Sequence, residues 1–205
     1  GSTQLAAASS EQLLTLTSAQ LRGLTTAQIA GLGTDDLDAL TSDQIAALGT
    51  TQVAALTSTQ LGAMASDDLA ALTSQQIRAL ETRDLSALDS TDLAVFSSAQ
   101  VAAFTSGQLA ALDSADLIGL STSAIAGLSA SQIVGLSTRQ LSALGSEQLQ
   151  ALDSAQLRAL STAQIAGLST DDLNALTSDQ FAHLSTTQIA ALSGTQLGAL
   201  QSEDL

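Results

Sequence analysis

Few side chains in this chain could do chemistry. His183 is the single histidine and there is no cysteine, so neither a nucleophile–histidine relay nor a nitrogen or sulfur metal site can be assembled. Three acidic pairs, Asp35 with Asp36, Asp67 with Asp68 and Asp171 with Asp172, offer oxygen atoms of the kind calcium takes. They lack the Gly-turned, Asp-rich loop of a calcium hand, and acids in tandem also suit the first turn of a helix. Rows of Ser and Thr could present hydroxyls at fixed spacing, but helix capping accounts for them. No glycine-rich phosphate loop occurs. We therefore expect no catalytic residue, no cofactor and no metal site, and a chain that is not an enzyme.

The elements that carry these residues repeat every eight positions. From Gly1 the sequence reads GSTQLAAA, SSEQLLTL, TSAQLRGL, TTAQIAGL and onward, as 25 octads and a five-residue stub with no insertion or deletion. A fixed period takes precedence over local propensity, and here it leaves no composition shift at which to place a domain boundary. Residues 1–205 are expected to form one continuous octad-repeat array. No polar capping repeat is seen at either end, which leads us to expect a piece of a longer array.

Numbering each octad one to eight, position five is apolar from Leu5 to Leu205, and position eight is Leu except at Ala8, Met64, Phe96 and Phe104. Residues three apart share a helix face but would lie on opposite faces of a strand. Position one is mostly Ser, Thr, Asp or Gly. Position four is Gln or Asp except at Ala124, which repeats the capping-box pattern in pairs such as Thr17 with Gln20 and Ser161 with Gln164. Of the 20 acidic residues only Asp38 lies beyond position four, and Arg22, Arg78 and Arg158 sit at position six. This is the polarity a helix dipole favours. The spacing predicts a short helix from about position two to position seven of every octad, with positions five and eight as core and three and six as the variable outer face.

Eight residues at about 100° each turn the apolar pair by about 80° per octad, which excludes a single straight helix or coiled coil. Helices of six residues are unstable alone, so each must pack on its neighbours. The fold class expected is an all-α solenoid, a superhelix of very short helices, one per octad. Ile29, Val53, Ile77, Val101 and Ile125 are β-branched at every third octad, which points to about three octads per coil. Position seven is mostly Ala or Gly, small enough to let neighbouring backbones approach. Residues 9–69 match 145–205 at 44 of 61 positions, an offset of seventeen octads that suggests segmental duplication.

A net charge of −15, with 5 basic residues, speaks against nucleic-acid partners. No run approaches the roughly 20 apolar residues that a membrane-spanning helix needs, so no membrane insertion is expected.

The strings LTTAQIAGL (Leu24–Leu32), LSTAQIAGL (Leu160–Leu168) and LTSDQIAAL (Leu40–Leu48) resemble octapeptide arrays inside very large secreted or surface-exposed, adhesin-like bacterial proteins. That resemblance implies an extended, secreted or cell-surface role without a defined ligand. LTSAQLRGL (Leu16–Leu24) also resembles the opening of a TAL-effector DNA-binding repeat, but the missing proline, the period of eight and the acidity exclude that family. The function expected is a structural spacer or stalk. The alternatives are a binding module whose surface takes a protein or glycan partner, and an array that self-associates end to end.

Overall fold

The computed structural model describes residues 10–200. The first octad, with Leu5, and the terminal stub, with Leu205, lie outside them. Among the described residues there are 22 α-helices of four to six residues and two 3-10 turns, one element per octad, and no strand.

Each helix starts as its sequence prescribes. Thr17 sits at φ −71°, ψ 159°, outside the helix Ser18–Arg22. Its hydroxyl accepts the Gln20 amide at 3.3 Å, while Gln20 Oε1 accepts the Thr17 amide at 2.8 Å. This reciprocal pair satisfies two of the donors that a helix start leaves open, and it recurs through Ser193 and Gln196. Gly49 and Gly145 have no side chain to contribute and keep only the glutamine half. At Leu48 (φ −59°, ψ 144°), as at Leu72, Leu112 and Leu136, the chain leaves the helix at position eight in extended conformation, and no described residue has a positive φ.

The helices that pack together are those of octads n and n+3. Ser18–Arg22 packs on Ser42–Ala47, that helix on Ser66–Ala71, and Thr50–Val53 on Ser74–Ala79. One coil is therefore three octads of eight residues, 24 in all, and the solenoid consists of three columns of stacked helices. The β-branched series from Ile29 to Ile125 falls in one column, as its spacing predicts. Positions five and eight fill the interior continuously: Leu21, Leu61, Ile77, Leu109 and Ile165 are fully buried at position five, and Leu72, Leu88 and Leu144 nearly so at position eight. Burial of each such side chain contributes about 1.5–3 kcal/mol, which offsets the instability of helices this short.

Position seven is small because it touches the coil before it. A Cβ on Gly135 would come within 2.9 Å of Ser106 Cβ, and one on Gly167 within 3.2 Å of Thr138 Cβ. One on Gly119 would overlap the Ser90 carbonyl oxygen.

Two octads depart from the helix expected at positions two to seven. Leu85–Ala87 and Asp116–Gly119 are 3-10 turns. In both, the position-four amide bonds only to the carbonyl three residues back, Asp84 to Glu81 and Asp116 to Asp113, and no side chain accepts it. Glu81 makes no cap bond, and the Asp113 carboxylate accepts the Ala115 amide instead.

Candidate functional site

The recurrent polar centre of the molecule is position four. Sequence reasoning assigned its glutamines to capping, which uses one end of the side chain. From Gln44 onward the structure buries them and employs both ends. Gln52 Oε1 accepts the Gly49 amide at 2.8 Å, and Gln52 Nε2 donates to the carbonyls of Leu21 and Leu24, both at 2.8 Å, 31 and 28 residues earlier. The same bonds run from Gln60 to Ile29 and Leu32, from Gln108 to Ile77 and Leu80, from Gln140 to Leu109 and Leu112, and from Gln188 to Leu157 and Leu160. The partners fix the orientation of the amide, because a backbone N–H can only donate and carbonyls can only accept. Each of these buried glutamines thus caps its own helix and straps it to the end of the helix four octads earlier. In a dry interior such fully satisfied amides hold position and register together.

A second set of straps lies outside, at position six. Arg22 Nε donates to Ala47 O at 2.8 Å, Arg78 to Ala103 at 3.3 Å, Arg158 to His183 at 3.3 Å, and Gln150 Nε2 to Ala175 at 2.9 Å, each 25 residues on. Long donors at position six were the signal for these contacts. Arg83 instead reaches the neighbouring Asp84 carboxylate at 3.4 Å.

The residues singled out for chemistry are dispersed along the array. His183 lines a shallow groove with Gln150, Asp153, Asp179 and Gln180. Its Nδ1 lies 2.6 Å from the Asp179 carbonyl of its own helix, and the Asp153 carboxylate accepts the Gln156 amide. The acidic pairs divide between two tasks: Asp35, Asp67 and Asp171 point outward at position three, while the second acid stands at the cap position. Asp172 accepts the Ser169 amide at 2.9 Å. Asp68 is buried and accepts from Ser42 Oγ at 3.2 Å. Burial pushes its carboxyl above the usual range against that bond, and the charges of Asp38 and Asp67 add to the rise. Asp92 is raised likewise, first by burial and then by Asp89 and Asp116, against the Asp89 amide that it accepts. No group of three or more His, Cys, Asp or Glu among the described residues is placed to hold a metal ion. None of the helices among them is long and apolar enough to cross a membrane.

The surface is uneven in charge. In the column of Thr26–Ala30, Thr50–Val53, Ser74–Ala79, Ser98–Val101 and Thr122–Ala126 there is no acidic residue, whereas the other two columns carry every acid between residues 25 and 128.

Comparison with known proteins agrees with this geometry. A family model described as the ALTTAQ repeat matches residues 15–50, 29–66, 77–114, 109–146, 126–154 and 149–186, together well over half of the chain. No curated protein matches it.

Proposed function

We propose that this chain, which belongs to the ALTTAQ repeat family, is a structural spacer or stalk segment of a large secreted or cell-surface bacterial protein, adhesin-like and without catalysis of its own. The observation that carries this proposal is the strap of position four. Wherever position four is glutamine, from Gln44 to Gln196, its amide reaches the carbonyl 28 residues earlier, so an added coil repeats an interface already present and lengthens the array by a fixed step. Helices packed side by side lie about 8–10 Å apart, which sets that step. The resemblance of the octads to surface-exposed arrays supports the location.

Small-angle scattering on this chain and on versions lengthened by whole 24-residue coils tests the proposal. The maximum dimension is expected to rise linearly, by about 8–10 Å per coil. A compact body whose dimension barely changes, or the profile of a flexible chain, would sink it.

One observation favours a second function, a binding module for a protein or glycan: the acid-free column offers a neutral, hydroxyl-rich face over five coils. It ranks below the spacer because that face exposes no aromatic side chain, Phe104 being buried, and only Arg78 as a charge, whereas binding hot spots draw on Trp, Tyr and clustered Arg.

A further inference from the structure

We propose that residues 81–128 are the yielding segment of the array, the place where coils part first when the solenoid fluctuates or is pulled; this rests on the spacer function. Four of its six octads lack the strapping glutamine, with Asp84, Asp92, Asp116 and Ala124 at position four. The carbonyls 28 residues before these, on Leu56, Met64, Leu88 and Phe96, receive no glutamine amide. A carboxylate can replace the cap half of the contact, as Asp92 does for the Asp89 amide at 3.0 Å, but it has no proton to donate across coils. Both 3-10 turns, Leu85–Ala87 and Asp116–Gly119, fall in this segment.

Charge acts in the same direction. Glu81, Asp84, Asp89, Asp92, Asp113 and Asp116 occupy positions one and four, and the only cation within 81–128 is Arg83, itself well exposed beside Asp84. The apolar interior meanwhile stays closed: Phe96 and Phe104 meet edge to face at 5.6 Å and Gly119 packs tightly on Ser90. The segment therefore opens as a unit between coils, and each released coil of 24 residues gives at most about 80–86 Å of extended chain.

Hydrogen exchange on the full chain, read by mass spectrometry, tests this. Amides of 81–128 are expected to exchange about tenfold faster than those at matching octad positions in 129–168, since local opening follows the fewest cross-links. Replacing Asp84, Asp92, Asp116 and Ala124 together by Gln is expected to bring the two segments level. Should that variant fold poorly, the reverse pair Gln148→Asp and Gln156→Asp is expected to raise exchange in 129–168 about tenfold. Equal protection of the two segments, or no change in either set of variants, would overturn the yielding segment. Scattering on the same samples keeps the two ideas apart, because a rod with even protection removes this inference and leaves the spacer standing.

Discussion

Residues 81–128 and 129–168 are written in the same octad, yet they are joined differently. In the second segment Gln132, Gln140, Gln148, Gln156 and Gln164 strap every octad to an earlier coil. In the first, only Gln100 and Gln108 do so. The caps differ far less, since Asp89 with Asp92 forms the same reciprocal pair as Ser137 with Gln140. Helix initiation and coil stacking are thus separable properties of one side chain. At Asp92 an acid at position four preserves the first without the second.

The largest effect expected comes from carrying that difference into the strapped segment. Gln140 is almost fully buried, with Nε2 at 2.9 Å from the Leu109 carbonyl and 3.0 Å from that of Leu112. Gln140→Glu would place a carboxylate against two acceptors, and urea unfolding should show a loss of about 3–5 kcal/mol. Gln140→Asp, shorter and still able to accept the Ser137 amide, should cost about 1–3 kcal/mol. Equal losses would mean that a carboxylate set against the two carbonyls costs nothing beyond the lost bonds.

A smaller effect probes what holds the weaker segment closed. Gly119→Ala pushes a methyl into the Ser90 carbonyl, a backbone group that cannot rotate aside, and should destabilise by about 1–3 kcal/mol. Gly194→Ala is the control, because a Cβ there meets nothing within 4 Å and should stabilise by about 0.4–1 kcal/mol through the unfolded chain. If both variants melt at the wild-type temperature, the close approach of the coils at Ser90 is not what keeps 81–128 shut.

The octad period, the helix at positions two to seven, the cap, the leucine interior and the small position seven were all legible in the sequence, because each follows from a local rule or a periodicity. Three octads per coil was legible from Ile29 to Ile125, since stacked positions face the same neighbours. The strap was not read, although it left a trace. Glu serves a capping box as well as Gln does, yet no Glu occupies position four anywhere in the chain. Capping alone does not explain that exclusion; Glu, as long as Gln, would carry a carboxylate to carbonyls of the earlier coil that can only accept, whereas Asp is shorter. The 3-10 turns were hidden for another reason. Asp89 with Asp92 keeps its α-helix while Asp113 with Asp116 loses it, so acid at both positions does not by itself decide the outcome.

The smallest expected effect turns the comparison into a pH dependence. The Asp92 carboxyl is raised above its usual range, chiefly by burial and further by Asp89 and Asp116. A carboxyl with a raised folded-state pKa stabilises most when protonated. Its contribution is complete below the ordinary aspartate value of about 3.9 and is lost as pH rises through the higher folded value. Asp92→Asn keeps an acceptor for the Asp89 amide and removes the charge, so at pH 7 it should be more stable than wild type by about a few tenths of a kcal/mol, solvent screening most of the charge. In urea titrations that advantage should shrink as pH falls toward 4 and vanish below it. An Asn variant with the same advantage at every pH would locate the effect in packing rather than charge, and the acidic character of 81–128 would then have no part in its weakness.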